Sequence, residues 1–205
     1  MPHDGRIPSV SRRFFLRGTR AAASGVALLG EARAAASATG ADEAATSGPG
    51  MVHLTLNVNG KGYDASVEPC VTLAEVLRGA LDLTGTKIGC DRGFCSACTV
   101  WLDGTPIASC MTLAIDVGAR AVTTIEGLAH GETLHSVQEA FIAHDAMQCG
   151  YCTPGMIMSC AALLNRIPHP APEDVHAAIA GHICRCGTYP HIVEAVLAVA
   201  QTEKS

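Results

Sequence analysis

Cys90-Asp91-Arg92-Gly93-Phe94-Cys95-Ser96-Ala97-Cys98, closed by Cys110, sets four thiols at the spacing C-x4-C-x2-C-x11-C. That is the ligand spacing of a plant-type [2Fe–2S] site, where four thiolates hold two bridged irons. Further along, Cys149-Gly150-Tyr151-Cys152 and Cys184-Arg185-Cys186 make a second set, C-x2-C-x31-C-x-C. Eight of the ten cysteines are thereby placed. Two one-electron centres in a short chain, with no evident substrate chemistry beside them, make a wire.

Working outward from the first set, residues 51–57 alternate apolar and polar side chains, as a half-buried strand does. Asn59-Gly60 predicts a tight turn and residues 61–67 a returning strand. Thr72 is placed to cap a helix running through Leu81, with Leu73, Val76 and Leu77 on its inner face. After the cysteine loop come a strand over 99–102, a turn at Asp103-Gly104, a strand ending near Cys110, and a last strand over 121–125. Beyond Leu134 the period becomes helical. Leu134, Val137, Ala140 and Phe141 line a first helix, and Thr153-Pro154 opens a second with Thr153 as its cap. Pro172 opens a third, with Gly181 just past its end. Pro190 stands in the first turn of a fourth, whose Ile192, Val193, Val196 and Leu197 face inward. Four such helices bury a core by packing as a bundle. The predicted fold is α+β, a small sheet module followed by a four-helix bundle. Each part carries one cysteine set, divided as residues 51–128 and 129–205.

The amino terminus speaks to location. Arg12-Arg13-Phe14-Phe15-Leu16 is a twin-arginine motif, followed by a modest apolar stretch and the small-x-small site Ala32-Arg33-Ala34. The apolar stretch is too short to span a bilayer, which takes about 20 apolar residues. Residues 1–34 are therefore expected to be a signal peptide and 35–50 a flexible linker, with the folded chain exported to the periplasm. Export after folding lets thiolate clusters assembled in reducing cytosol persist in an oxidising compartment. Residues 35–205 keep 8 of the 14 basic side chains and 17 of the 19 acidic ones. That surface repels nucleic acid phosphates.

Residues 89–100 resemble the first cluster motif of the molybdenum hydroxylases, the xanthine dehydrogenase and aldehyde oxidoreductase family. Thr124-Ile125-Glu126-Gly127-Leu128 is similar to that family's junction between domains, and residues 148–155 and 184–190 resemble its second cluster motif. With the export signal, the chain looks most like the iron–sulfur subunit of a periplasmic aldehyde oxidoreductase. The resemblance implies a ferredoxin-like β-grasp domain and a helical domain, each holding one [2Fe–2S] cluster. It implies ligand sets Cys90, Cys95, Cys98, Cys110 and Cys149, Cys152, Cys184, Cys186. A large partner subunit would hold molybdopterin, of the cytosine dinucleotide type, and oxidise an aldehyde or N-heterocycle. Gln148 and Cys186 would face the pterin, with the helical-domain cluster first in line and no catalytic residue in this chain. The acceptor would be an FAD subunit, a c-type cytochrome or a quinone-linked carrier.

Two positions depart from the family pattern. Ser96 stands where Gly is more usual, with little consequence expected. His182 replaces an Asn and brings an imidazole near the second set. Arg92 and Arg185 lie within the cysteine loops, and Cys70 and Cys160 read as small core residues. Two other classes compete. A free-standing two-cluster periplasmic ferredoxin would need no partner, but a shuttle has no use for a helical second domain. A four-cysteine zinc or disulfide protein is opposed by C-x4-C-x2-C, which is not a usual zinc spacing.

Overall fold

Asn59 and Gly60 both take positive φ, 53° and 75°, and so make the type I′ turn whose twist matches a hairpin. They join β1 (Val52–Val58) to β2 (Lys61–Val67), paired antiparallel with Val58 opposite Lys61. The computed structural model describes Gly48 and residues 50–202. The expected signal peptide and almost all of the linker lie outside the described residues.

Asn59 also ties the turn to the distant Thr124. Its Oδ1 accepts from the Thr124 amide and its Nδ2 donates to the Thr124 hydroxyl, each at 2.9 Å. A Cβ on Gly127 would lie 2.1 Å from Asn59 Oδ1, so only glycine admits this lock.

Helix α1 (Leu73–Arg78) is shorter than the sequence predicts. Its start is as expected: Thr72 Oγ1 accepts from the Glu75 amide, and Glu75 Oε2 accepts from the Thr72 amide at 2.8 Å, a capping box. It stops at Gly79, and Arg78 turns aside to donate to the carbonyls of Thr84 and Thr86, each at 2.7 Å. The guanidinium thereby organises the loop that leads to Cys90.

Strand β3 (Thr99–Leu102) turns at Asp103-Gly104 into β4 (Thr105–Ala108). The predicted fourth strand does not reach Cys110, which lies in a 3-10 turn over Ser109–Met111. A short α2 (Ala114–Val117) leads to β5 (Ala121–Thr123), which ends two residues before the expected Ile125 because a second 3-10 turn begins there. The sheet order is β2-β1-β5-β3-β4, with β5 parallel to β1 and antiparallel to β3. Leu56, Val58, Leu73, Leu77, Val100 and Val122 form its core.

The helical part consists of α3 (Ser136–Ala143), α4 (Thr153–Arg166), α5 (Pro172–Ile179) and α6 (Tyr189–Thr202). Leu134 lies outside α3 and is exposed. The cap is His135, whose Nδ1 accepts from the Val137 amide. On α4 the cap position belongs to Cys152 and not Thr153, and it makes no side-chain capping bond. On α6 the fully inward stripe is Ile192, Ala195, Val196, Val199 and Ala200, while Val193 and Leu197 are only partly buried. Around Phe141, Met156, Met158 and Ile192 these helices enclose a second core.

One side chain of the sheet belongs to the helical core. Trp101 of β3, 8% exposed, donates from its indole to the carbonyl of Met158 at 2.8 Å. The two parts therefore pack as one unit. Replacing Trp101 by Ala removes a large buried ring and should cost about 3–5 kcal/mol. Urea unfolding followed by circular dichroism tests this, and a loss below about 1 kcal/mol would show that the parts hold together by other means.

Candidate metal centres

The loop carrying the first cysteines is wound so that its amides point at sulfur. Asp91, Gly93 and Ser96 all take positive φ, at 53°, 69° and 57°, and a chain that reverses this way forms an anion-binding concavity of N–H groups. The amides of Phe94 and Cys95 donate to Cys90 Sγ at 3.2 and 3.3 Å, and that of Gly93 donates to Cys110 Sγ at 3.3 Å. Gly93 has no alternative, since a Cβ there would meet Met111 Cγ at 2.8 Å. Cys98 and Cys110 are buried against Ala74, while Cys90 and Cys95 lie half-exposed. Ser109 seats Cys98 by donating its hydroxyl to the Cys98 carbonyl at 2.6 Å.

These surroundings divide the thiols. Backbone amides, that of Arg92 first and those of Cys95 and Phe94 with it, hold Cys90 down to about 7. Burial pushes Cys110 up to about 11 against the Gly93 amide, with Cys98 and Cys90 close enough to add to the rise. Cys95 bonds to Cys90 as well, so all four predicted ligands come together.

The second set lies at the starts of α4 and α6. Cys152 is buried, and burial followed by the neighbouring Cys184 and Cys149 pushes it up to about 12. Burial also raises Cys184, but the amide and hydroxyl of Thr188, Cys152 and the Gly187 amide outweigh it and bring Cys184 to about 7. Cys149 is exposed. Cys186 lies half-exposed two residues beyond Cys184, and among the described residues it makes no hydrogen bond to the other three. Gln148 is exposed beside Cys149, and Met147, Tyr151 and Ile183 add an apolar exposed rim.

Thiolates surrounded by amide donors fit an iron–sulfur cluster, whose sulfurs take such bonds. Among the described residues no three His, Cys, Asp or Glu side chains are drawn in around a single ion. Cys90 and Cys95 of one set and Cys149 and Cys152 of the other line a shared cavity of about 260 Å³. Across it the amide of Ile183 donates to the carbonyl of Cys95 at 3.2 Å. A Cβ on Gly155, in the first turn of α4, would lie 2.3 Å from the Ser96 carbonyl. That glycine lets the helix start close against the first loop.

Of the remaining predicted positions, Arg92 is exposed and donates from Nε to the Cys90 carbonyl at 3.1 Å, and Arg185 stands at the rim of the cavity. Cys160 is fully buried as expected, its thiol pushed up to about 12 by burial. Cys70 is not a core residue. It is exposed in the turn between β2 and α1, its sulfur 3.8 Å from Glu68 Oε2. His182 does not bond a thiolate. It is buried, held neutral with its pKa brought down to about 4 by that burial, and its Nε2 lies 2.7 Å from Ser159 Oγ of α4.

Sequence reasoning missed the braces. Tyr189 accepts from the Cys184 amide at 2.7 Å and donates to the His182 carbonyl at 2.9 Å, straddling the loop. Ser96 does more than expected, donating to the Gly181 carbonyl at 3.1 Å. Only its departure from glycine marked it.

Comparison with known proteins places the geometry. Residues 56–121 match the family described as 2Fe-2S iron-sulfur cluster binding domain, and residues 124–197 the one described as [2Fe-2S] binding domain. The chain is 39% identical to the aldehyde oxidoreductase iron-sulfur-binding subunit of Escherichia coli, over 100% of this chain and 93% of that one. It is 45% identical to the nicotine 6-hydroxylase small subunit of Paenarthrobacter nicotinovorans, over 71% of this chain and 88% of the other. Among solved structures, quinoline 2-oxidoreductase from Pseudomonas putida 86 superposes with a TM-score of 0.72 at 40% identity, over 75% of this chain and 96% of that one.

The graded thiols yield a chemical test. The thiolate is the nucleophile, so a lowered pKa raises reactivity at neutral pH. In the cluster-free chain, a short iodoacetamide pulse at about pH 7.5 should label Cys90 and Cys184 well ahead of Cys110 and Cys152. Peptide mass mapping reads the order. Labelling of all four at similar rates would contradict the arrangement.

Proposed function

The chain belongs to the molybdenum hydroxylases as an iron–sulfur subunit, and we propose that it carries electrons between a molybdenum-containing partner and an external acceptor. Each bound cluster takes up and gives back one electron. In this reading Cys149, Cys152, Cys184 and Cys186 hold the cluster that receives electrons first. Cys90, Cys95, Cys98 and Cys110 hold the one that passes them on. The observation that carries the reading is the cavity lined by both sets and crossed by the Ile183–Cys95 bond. A bonded route of this kind joins the sets through a cysteine carbonyl and the residue next to Cys184. The domains divide at residues 128/129, a reading supported by two separate family matches over residues 56–121 and 124–197.

The large partner holds molybdopterin, of the cytosine dinucleotide type, and oxidises an aldehyde or an N-heterocycle, the substrate classes named for the relatives. It docks on the rim of Met147, Gln148, Cys149, Tyr151 and Ile183, with Gln148 and Cys186 toward the pterin. The exposed apolar side chains there support this, since larger exposed apolar patches mark interaction surfaces. An FAD subunit or a c-type cytochrome takes the electrons from the sheet domain, where Phe94 and Met111 stand exposed beside Cys90 and Cys110. The complex works in the periplasm, reached by the twin-arginine route. No described helix is long and apolar enough to cross a membrane.

Two measurements test this reading. Elemental analysis of the isolated complex should give about four irons and four acid-labile sulfides per chain, and two irons, or zinc instead, would overturn the two-cluster assignment. Arg12→Lys with Arg13→Lys keeps the charge and loses the planar donor fork of guanidinium. The protein should then stay in the cytoplasm with its clusters intact, and undiminished periplasmic activity would show that the pair is not the export signal.

A further inference from the structure

Two side-chain hydroxyls cross between the cysteine loops, from opposite directions. Tyr151, between Cys149 and Cys152, donates to the carbonyl of Ile88 at 2.5 Å, just ahead of Cys90. Ser96, between Cys95 and Cys98, donates to the carbonyl of Gly181 at 3.1 Å, just ahead of Cys184. A backbone bond from the Ile183 amide to the Cys95 carbonyl joins the same two loops. Neither contact is one that local structure demands. Tyr151 is 50% exposed, so burial does not account for where its ring lies. The ring packs over Gly89, where a Cβ would sit 3.8 Å from Tyr151 Cε1 and 3.0 Å from Cys95 Sγ. Ser96 holds a φ of 57°, a conformation strained for any residue with a Cβ, yet it is this conformation that delivers its hydroxyl to Gly181. The two bonds join the same pair of loops at two places: Tyr151 lines the cavity that both thiol sets share, while Ser96 and Gly181 line a second one with His182.

We propose that Tyr151 and Ser96 are positioning residues, a pair of latches that set the gap between the two thiolate sets and keep the Ile183–Cys95 bond closed. The inference rests on the reading that each set holds a cluster and that electrons pass between them. The step itself is simple in its balance. With a cluster held by each thiol set, one electron would pass from the one at Cys149, Cys152, Cys184 and Cys186 to the one at Cys90, Cys95, Cys98 and Cys110, oxidising the first and reducing the second, with no bond made or broken and no proton moved. Its rate depends on separation and on the continuity of the bonded route. Both are what the latches govern.

Tyr151→Phe keeps the ring and removes the donor. Ser96→Gly keeps the backbone conformation, since glycine takes positive φ freely, and removes the hydroxyl. Both variants, and their combination, are studied in the intact cluster-loaded complex. Paramagnetic resonance of the fully reduced protein reads the magnetic interaction between the clusters, and rapid partial reduction reads the transfer rate between them. Redox titration gives each potential. Each variant should weaken the interaction and slow transfer severalfold, the double variant more, with iron content and both potentials unchanged. A double variant with full iron content, unchanged interaction and unchanged rate would overturn the latch. So would a shifted potential with an unchanged rate, which would assign these residues to tuning one cluster. Should the unmodified complex lack two clusters per chain, the underlying reading fails, and the latch with it.

Discussion

The amide of Ile183 and the carbonyl of Cys95 meet at 3.2 Å, and much of the chain's architecture serves to keep them there. A single hydrogen bond is worth only about 1 kcal/mol net, too little to dock a sheet against a helical bundle. The docking comes from elsewhere. Trp101 reaches from β3 into the helical core, and Gly155 lets α4 begin against the Ser96 carbonyl, closer than any side chain would permit. On the far side Asn59, Thr124 and Gly127 fasten the hairpin turn to the segment that leads into the helices. Packing thus brings the two loops within reach of each other, and the Tyr151 and Ser96 hydroxyls hold them together locally.

Within each cysteine set the protein treats its thiols unequally. One of each set, Cys90 or Cys184, lies near the surface among backbone amides and is held toward the thiolate. Another, Cys110 or Cys152, is buried and resists ionisation. Metal ligands must shed their protons to bind. A set with one thiolate already formed and a buried partner behind it offers incoming iron a first foothold and then a dry seat. The amides that lower the first pKa remain to donate to sulfur once a cluster is bound, where they favour the more negative, reduced state.

Much of this was legible in the order of residues. Cysteine spacing carries chemistry directly, so the gathering of Cys90, Cys95, Cys98 and Cys110, and of Cys149, Cys152 and Cys184, could be read from it, as could the hairpin from Asn59-Gly60. Element ends were less legible because contacts with distant residues decide them. Arg78 leaves its helix to hold the carbonyls of Thr84 and Thr86, and a 3-10 turn carries Cys110 where a strand was expected. Cys70 misled because cysteine is among the most buried residue types, and composition says nothing of a turn that faces solvent. The hydroxyl bonds of Tyr151 and Ser96 across the loops, and of Tyr189 within its own, were invisible for a plainer reason. A hydroxyl has no periodicity, and its partner is known only once the chain has folded.

The chain has one tryptophan, and it is Trp101, the residue that pins the sheet to α4. Its indole N–H is bonded to a helix carbonyl and its ring is shielded from water. Tryptophan emission, excited on the red edge where the three tyrosines do not absorb, therefore reports a single location, the seam between the two cores. A red shift as the indole meets solvent would mark the moment the halves part, and the broad charge-transfer absorbance of a bound iron–sulfur cluster would quench the same light. The molecule carries its own optical gauge of whether its wire is whole.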